Sequence, residues 1–293
     1  MSKIITHLLS GLLRLFASLP SRVLYVLSDV IALKLYYLFR YRRKVVRKNL
    51  INSFPHHSLK EICQIERAFY FHLADVMMET IQQLNFKSTT LKQHYIIKNK
   101  VVLEELLSKN KSVLVAFSHS NNWELLAQVL GYEFNVPTYA LYKQPSSPIF
   151  DRLMIEVRTR SGLIRLLESQ SAYRKLAGIK ETQKIVFLLG DQTPPGLETD
   201  HWTTFLHQET PFFNGIEKMA RSFDHGVVFI ASKKIRRGFY SFEVIKMTEN
   251  PRQTLPGEIT EQYARLLENT IMQQPQTWLW SHRRWKHQRN KKA

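Results

Sequence analysis

The sequence has little cysteine, little acidic charge and few uninterrupted apolar stretches. Its 293 residues include one cysteine, Cys63, which excludes an internal disulfide framework and fits a reducing compartment. Asp and Glu number 24 against 42 Lys and Arg, so the formal net charge is +18. This excess predicts an anionic partner: nucleic acid, an anionic membrane surface or an acidic protein. With 44% hydrophobic residues, the chain can still bury a sizeable core.

The amino-terminal apolar segments are each interrupted by polar residues. Residues 4–19 contain a histidine and an arginine, and residues 23–39 contain an aspartate and a lysine. Neither segment therefore supplies the roughly 20 consecutive apolar residues of a membrane-spanning helix. No small-residue cleavage site follows, which argues against a signal peptide.

A basic block over residues 40–48 follows the apolar segments. This order is typical of a membrane anchor whose carboxyl side faces the cytoplasm. The anchor either spans the bilayer or lies in its interface as amphipathic helices. A buried helical hairpin with a solvated basic rim is the alternative. We expect anchor helices and the basic block over residues 1–48, and a single domain over residues 49–293.

Beyond the basic block, a long segment with helical spacing over about residues 49–99 precedes a region where short apolar runs alternate with helical patterns. This alternation predicts a mixed α/β fold, with a central sheet covered by helices. The predicted strands are 113–117, 138–142, 185–189, 226–231 and 239–245, the last two joined by a basic turn over 233–238. The predicted helices are about 98–111, 123–130, 147–160, 215–223 and 258–273.

The most informative stretch joins the strand 113–117 to a helix that begins at Trp123. The Ser-His-Ser-Asn-Asn between them has turn and cap chemistry, so His119 lies just past the carboxyl end of a strand, where open α/β sheets bind ligands. Residues five apart on one helix are roughly 140° apart around its axis. His119 and Glu124 can therefore meet only if His119 precedes the helix, as this pattern predicts.

A carboxylate at one imidazole nitrogen fixes the tautomer and supports the proton that the ring gains, which leaves the other nitrogen as a general base. The pair predicts proton abstraction from a hydroxyl by His119, assisted by Glu124. The alternative is that Asn121–Glu124 is a capping box and His119 an ordinary loop histidine. His201, His207, His225, His282 and His287 lack a metal-ligand spacing, so we predict no metal. We expect no cofactor either.

Further motifs follow one another in order along nearly the whole chain. They are Leu19-Pro20, Asn49-Leu50, Phe54-Pro55, the His119/Glu124 pair, Asp151–Met154, Arg158–Gly162, Gly190-Asp191-Gln192, Phe205, Thr210-Pro211, Gly215, Ala220-Arg221 and Trp278–Lys286. With these motifs, the chain resembles the late acyltransferases of lipid A biosynthesis, within the lysophospholipid and glycerolipid acyltransferase superfamily. One departure is Ser161, where that family often carries Phe.

The resemblance implies a membrane-bound enzyme on the cytoplasmic face of a bacterial inner membrane. It would move a fatty acyl group from an acyl-carrier-protein thioester to a hydroxyl of a lipid A precursor, expected to be that of a 3-hydroxyacyl chain. His119 would be the general base and Glu124 its support. The implied partners are acyl carrier protein, an anionic glycolipid acceptor and inner-membrane lipids, with no nucleic acid.

The resemblance also implies substrate-binding roles for residues of two further motifs. Arg158 or Arg160 would donate to the oxyanion of the tetrahedral intermediate or bind acceptor phosphate. Asp191 and Gln192 would bind substrate or support the site. The alternatives are a solvated helix face for the two arginines and a strand-end turn for Asp191.

Three other functions stay open at this point. Within the enzyme class, the acceptor is another glycolipid or a lysophospholipid. A basic nucleic-acid-binding protein would use Trp278, Trp280 and Trp285, which alternate with arginines as in stacking platforms, but it has no use for the apolar amino terminus. A membrane scaffold without catalysis would not need the His119–Glu124 pair.

Overall fold

The fold is built on a central sheet whose strands run mostly parallel. The computed structural model describes residues 11–194, 201–287 and 289. The strands are β1 Tyr95–Lys98, β2 Val113–Phe117, β3 Thr138–Tyr142, β4 Ile164–Glu168, β5 Ile185–Leu189, β6 His201–Phe205, β7 Gln208–Phe212, β8 Gly226–Arg236 and β9 Phe239–Thr248. Among the described residues, seven strands form one sheet in the order β1-β9-β8-β2-β5-β3-β4, and β6 and β7 form a separate antiparallel ribbon. Only the β8–β9 pair of the large sheet is antiparallel.

Helices cover both faces of the sheet and confirm the predicted mixed α/β class. They are α1 Gly11–Ala17, α2 Ser21–Leu33, α3 Arg43–Ser53, α4 Leu59–Gln82, α5 Ser88–Leu91, α6 Lys100–Ser108, α7 Trp123–Glu133, α8 Pro148–Thr159, α9 Ala172–Ala177, α10 Gly215–Phe223 and α11 Glu258–Gln273. A π-helix, Lys34–Leu38, continues α2. The central strand β2 is buried at all five positions, as expected for a parallel strand covered on both faces. Its side chains alternate between two apolar cores, one on each side of the sheet.

The register of the two central strands decides where the polar strand ends meet. Strands β2 and β5 are parallel neighbours, and Phe117 pairs with Leu189 at the last position. His119 and Asp191 each follow two residues later. Because carboxyl ends of parallel strands share one edge of a sheet, these two side chains emerge side by side.

Several elements differ from the sequence prediction. Strand β1 lies inside the segment predicted as helix, because four residues are too few to show a pattern and the strand is stabilised by parallel pairing with β9. Strand β4, at the sheet edge, has charged residues in it and was not predicted; nor was the β6–β7 ribbon. The predicted basic turn is mostly strand, since β8 continues to Arg236 and pairs with β9 along its length.

The amino-terminal helices pack onto α4. The Ser28 hydroxyl on α2 donates to Asp75 at 2.7 Å, and both residues are buried. In the described part of the chain, no single helix is long and apolar enough to cross a membrane. The bent pair Gly11–Ala17 and Ser21–Leu38, which turns through 114°, passes that test together by length and composition.

The predicted basic block leads into α3 and forms its first turns. Some of its residues form ion pairs, and others are exposed to solvent. Arg43 and Arg47 both pair with Glu66, a fully buried carboxylate on α4. This pairing fixes α3 against α4, because a buried carboxylate needs such partners. Arg40, Arg42, Lys44 and Lys48 are exposed or half-buried. The block is therefore partly structural and partly a positive surface.

Candidate active site

The loop after β2 is held in one conformation by two asparagines. Asn121 adopts a left-handed backbone, φ 54°, which asparagine tolerates better than most residues. Its side chain donates to the carbonyl and hydroxyl oxygens of Ser232 on β8. Asn122 is the N-cap of α7 and accepts from the backbone N–H of Leu125 at 2.9 Å. The predicted capping box, with Glu124 three residues after the N-cap, is therefore wrong: the N-cap is Asn122, and the Asn121 side chain bonds to Ser232 instead.

Asp191 is the carboxylate that contacts His119. Its Oδ1 lies 2.7 Å from His119 Nδ1, and its Oδ2 accepts from the His119 backbone N–H at 3.0 Å. The indole N–H of Trp278 donates to the same Oδ2 at 2.8 Å. Both oxygens of a buried carboxylate are therefore engaged, and the imidazole is oriented through its Nδ1–H.

The other imidazole nitrogen faces the solvent side of the site. The side-chain amide nitrogen of Gln192 lies 3.3 Å from His119 Nε2. Since Nδ1 donates to Asp191, Nε2 carries the lone pair that accepts from this amide. His119 is mostly buried yet still accessible, with 17% of its side chain exposed, whereas Asp191 has 2%. The lone pair of a neutral His119 is thus directed where a substrate hydroxyl can reach it.

The surroundings keep Asp191 ionised. Burial alone would raise the pKa of the Asp191 carboxyl. The positive charge that His119 acquires, together with hydrogen bonds from its ring and backbone and from Trp278, outweighs burial and lowers the pKa of Asp191 below its usual value. An ionised carboxylate at this position stabilises the imidazolium that forms when His119 takes a proton.

The hydrogen bonds of Glu124 go to residues other than His119, so its predicted contact with the imidazole is not formed here, and its role in catalysis stays a prediction. Its two oxygens accept from Arg158, at 2.8 Å from Nε and 2.6 Å from Nη2, and one also accepts from the Trp123 indole at 3.1 Å. This geometry is a bidentate guanidinium–carboxylate pair between α7 and α8. Spacing along the chain predicted Glu124 as the partner of His119, but the β2–β5 register brings Asp191 to the imidazole instead.

The predicted substrate-binding residues divide into two groups. Arg158 lines the cavity beside His119, and Glu124 raises the pKa of its guanidinium against the opposing effect of burial. Gln192 and Asp191 lie at the imidazole. Arg160 is exposed just beyond the end of α8 and is not among the described residues that line this cavity. Its predicted role stays a prediction.

A cavity of about 300 Å³ opens at His119 and has charged residues at its mouth, Lys143 and Arg158. A much smaller pocket, of about 30 Å³, adjoins it and shares five of its lining residues: Trp123, Leu141, Tyr142, Arg158 and Leu189. Glu124 also lines this pocket, and its other walls are the apolar residues Ala127, Ala140, Ile164, Leu166 and Phe187. The pocket has room for about one water molecule.

A second cavity, of about 430 Å³, lies on the other side of Gln192. Apolar walls come from the amino-terminal helices and α4, and the polar rim includes Arg42 and His282. The apolar lining residues are Leu35, Tyr41, Leu73, Met77 and Leu279. Gln192 lines both cavities, and its amide nitrogen lies 3.3 Å from His119 Nε2.

Sequence reasoning missed the role of the segment 277–285, called the C-terminal strap below. The Thr277 carbonyl accepts from the Asn121 backbone N–H at 2.9 Å, and Trp278 bridges to Ser120. His282 Nε2 accepts from the Thr193 backbone N–H at 3.1 Å. Burial lowers the pKa of His282 to about 4, so its ring stays a neutral acceptor. The strap thereby holds the loops that carry His119 and Asp191. The signal that could have shown this was its dense tryptophan content, which indicates burial as readily as ligand stacking.

Gly190 allows the second loop to leave β5 at this place. A Cβ there would lie 2.7 Å from Ile216 Cδ1 and 3.3 Å from the Tyr263 ring. The Tyr263 hydroxyl donates to the Phe117 carbonyl at 2.8 Å, which ties α11 to the end of β2. A larger residue would push the loop and Asp191 away from His119.

The arrangement is a carboxylate-supported histidine at the carboxyl edge of an α/β sheet, facing a cavity, and such a group can remove a proton from a hydroxyl. The chain matches the family model for bacterial lipid A biosynthesis acyltransferases over residues 1–287. It belongs to this family and is an acyltransferase.

Two characterised relatives agree with the family match. The chain is 23% identical over 280 residues to the lipid A biosynthesis palmitoleoyltransferase of Escherichia coli (strain K12), covering 94% of this chain and 89% of the relative. It has the same identity and coverage with the lipid A biosynthesis acyltransferase of Shigella flexneri. The family expected from the sequence motifs is thus confirmed.

Proposed function

We propose that this protein transfers a fatty acyl group from an acyl-carrier-protein thioester to a hydroxyl of a lipid A precursor. The observation that carries the proposal is the His119–Asp191 pair, whose Nε2 faces a cavity through the Gln192 amide, while Gln192 also lines a second, mostly apolar cavity. A reaction between two lipid-like substrates needs a site for each beside the base. The names of the two relatives support the choice of acceptor.

In the proposed reaction, the acceptor hydroxyl displaces the Gln192 amide from His119 Nε2. Its oxygen attacks the thioester carbonyl carbon while Nε2 takes the hydroxyl proton, and Asp191 stabilises the resulting imidazolium. The tetrahedral intermediate then collapses, the carbon–sulfur bond breaks, and the imidazolium returns the proton to the departing thiolate. An ester and a free thiol result, so atoms and charges balance.

Positive charge beside the reacting carbonyl would stabilise the oxyanion. Lys143 and Arg158 both line the outer cavity, and preorganised cations in a partly dry site are effective for this purpose. Glu124 holds Arg158 by two hydrogen bonds and so fixes where its guanidinium points. In this proposal Glu124 acts on the oxyanion side of the reaction, through Arg158.

The cavities divide the two hydrocarbon chains. We assign the donor chain to the cavity of about 300 Å³ at His119, and the adjoining 30 Å³ pocket that ends at Ile164 and Phe187 would have to widen to admit more of the chain. The acceptor chain lies in the larger cavity beside Leu73 and Met77, which opens toward the amino-terminal helices. Both chains then reach His119 from opposite sides of Gln192.

The amino-terminal helices would bring the acceptor to the enzyme from an anionic membrane surface at the cytoplasmic side of the bacterial inner membrane. Their exposed apolar side chains include Val26, Val30, Leu38 and Phe39, each at least 43% exposed. The exposed part of the basic block, with Arg40 and Lys44, adjoins them. Apolar insertion beside positive charge is the pattern of an interfacial anchor.

The buried tryptophans disfavour the nucleic-acid alternative. Trp278 and Trp280 are 2% and 0% exposed, so neither can stack on a base. The basic tail residues Lys291 and Lys292 lie outside the described residues.

Mass spectrometry of lipid A tests the proposal. A strain lacking the protein should lose one acyl mass, which the wild-type chain restores and His119→Ala does not. Leu59→Ala is the matched control, because Leu59 is exposed and does not line the His119 cavity; it should restore the mass fully. Unchanged lipid A in the deletion strain, with no paralogue covering the step, would remove the lipid A acceptor from the proposal.

A further inference from the structure

Arg42 is an exposed arginine at the rim of the cavity of about 430 Å³ that Gln192 also lines. Its backbone φ is 49°, in the left-handed region, which is unfavourable for a residue with a long side chain. Arg42 is also the N-cap of α3, a position that glycine occupies well. Glycine would therefore form this turn with less strain, so the turn does not explain the arginine.

Hydrogen bonds fix the turn that carries Arg42. The Tyr41 backbone N–H donates to the Leu35 carbonyl at 2.9 Å, and the Tyr41 carbonyl accepts from the Tyr70 hydroxyl. Arg42 Nη1 donates to the carbonyl of Ser281, on the C-terminal strap, at 3.1 Å. The guanidinium is thus attached by one nitrogen to another residue that lines the cavity.

Most of the hydrogen-bonding capacity of Arg42 is unused within the described part of the chain. There, Nε and Nη2 have no hydrogen-bond partner, and no carboxylate forms an ion pair with the guanidinium. Arg43 and Arg47, in the same basic block, both pair with Glu66. The charges of these two arginines therefore have a structural use, whereas Arg42 has two nitrogens left for a ligand.

His282 adds a second donor to the same cavity. Its Nε2 accepts from the Thr193 backbone N–H at 3.1 Å, and burial lowers its pKa to about 4, so the neutral ring has its proton on Nδ1. Nδ1 has no hydrogen-bond partner among the described residues. No aspartate or glutamate is among the described residues that line the cavity. Donors without a carboxylate suit an anionic oxygen group, and the apolar walls suit hydrocarbon.

We propose that Arg42 and His282 recognise the anionic head group, a phosphate or a carboxylate, of the lipid acceptor. A guanidinium can bind either group through two N–H donors. Binding at this rim fixes how far the acceptor enters the cavity, and so places it beside Gln192, whose amide contacts His119 Nε2. That the ligand is the acceptor rests on the proposed function.

The first test measures equilibrium binding to the full chain in detergent micelles, with no acyl donor present, so that no turnover occurs. The probes are a lipid A precursor that carries phosphates and acidic sugars, the same precursor without phosphates, and the same precursor without acidic sugars. Arg42→Gly should weaken binding of the complete precursor by about 10-fold, the low end for hydrogen bonds to a charged group, because the guanidinium is exposed. For the precursor that lacks the recognised group, the effect should be less than about threefold, which tells phosphate from carboxylate.

Phosphatidylglycerol micelles are the control for a general contact with anionic lipid. Arg42→Gly should weaken their binding by less than about threefold. Arg42→Lys keeps the charge without the two-donor fork, so it should recover only part of the lost affinity for the complete precursor.

Two further controls separate recognition from folding. Arg67→Ala removes an exposed arginine of α4 that does not line this cavity, and its affinity for the complete precursor should stay within about twofold of wild type. The urea midpoint of Arg42→Gly should stay within about 0.5 M of wild type, because relief of backbone strain offsets the lost hydrogen bond to Ser281.

Unchanged binding of the complete precursor in Arg42→Gly would overturn the proposal. Equal weakening for all three precursors, or for phosphatidylglycerol, would also overturn it, since Arg42 would then be a general lipid contact. Arg42-dependent binding of the precursor without any acyl transfer by the wild-type chain would refute the proposed function and leave head-group recognition intact. In the active chain, Arg42→Gly should raise KM for the acceptor about 10-fold and change kcat less than about threefold.

Discussion

Two buried carboxylates hold opposite ends of the loop that carries His119, and each accepts three hydrogen bonds from other residues. Asp191 accepts from the His119 backbone, the His119 ring and Trp278. Glu79, on α4, accepts from Asn122 at 2.8 Å, Tyr240 at 2.6 Å and Tyr25 at 3.2 Å. The number of donors is the same, but their chemistry differs.

The difference appears in the pKa values. The imidazole that can become charged helps to lower the pKa of Asp191, despite burial. Burial, together with repulsion by Asp75, raises the pKa of the Glu79 carboxyl, and the hydrogen bonds from Tyr240 and Asn122 and the attraction of Lys234 do not offset it. Neutral hydrogen-bond donors and a cation that forms no ion pair therefore do not outweigh burial, whereas a directly bonded imidazole does. Asp191 is therefore suited to proton transfer, whereas Glu79 ties α2, α4 and β9 to the loop.

The largest expected effect is that of removing the base. His119→Ala should lower kcat/KM for acyl transfer by about 10²- to 10⁴-fold, the range for loss of a general base. A purified-enzyme assay with acyl-carrier-protein thioester and glycolipid acceptor measures it. Far-UV circular dichroism should be unchanged, because the side chain lies at a loop. Transfer at the wild-type rate would contradict the proposed base role.

The next effect concerns the Glu124–Arg158 pair. Glu124→Gln and Arg158→Gln should each reduce kcat/KM by about 10- to 100-fold, which corresponds to about 1.5–3 kcal/mol for a hydrogen bond to a charged group. Because each acts by way of the other, the double variant should be little worse than the worse single variant. Additive losses in the same assay would show that Glu124 acts independently of Arg158.

A smaller effect is expected at Glu79. Glu79→Gln keeps the shape and should change kcat/KM less than about threefold, since the carboxyl does not contact His119. The contribution of the wild-type carboxyl to stability should depend on pH. The stabilisation from a carboxyl with a raised pKa is fully present below pH 4.5, the ordinary pKa of Glu, and is lost as pH rises through the folded-state pKa.

The amide that Glu79→Gln introduces cannot titrate, so the variant does not lose this stabilisation as the pH rises. The free energy of unfolding of Glu79→Gln, relative to wild type, should increase between pH 4.5 and pH 7.5 in urea titrations. A relative stability that falls over this interval would mean that Glu79 is charged in the folded protein, and the contrast with Asp191 would disappear.

Much of the fold could be predicted because its strands are short apolar runs with polar ends. Strands β2, β3 and β5 were predicted with the bounds that the structure shows. Strand β4 was not, because it lies at the sheet edge and carries Arg165 and Glu168. Its place depends on pairing with β3, which no local pattern encodes.

The sequence predicted most of the residues at the site, but only some of the contacts between them. The position of His119 followed from the strand–turn–helix pattern, while its partner depended on which strand lies next to β2. The parallel pairing of Phe117 with Leu189 brings Asp191 to the imidazole, and 72 residues of sequence separate the two side chains. Glu124 is nearer to His119 in sequence, but spacing along the chain carries no information about which strand lies next to β2.

The measurement that tests the account most directly is the single-turnover rate of acyl transfer by Asp191→Asn. The introduced amide can keep the hydrogen bond to the His119 backbone but cannot stabilise an imidazolium. The rate should be lower than that of wild type by about 10²-fold or more, with donor and acceptor affinities nearly unchanged. A rate within about threefold of wild type would show that His119 works without Asp191 and would contradict the account.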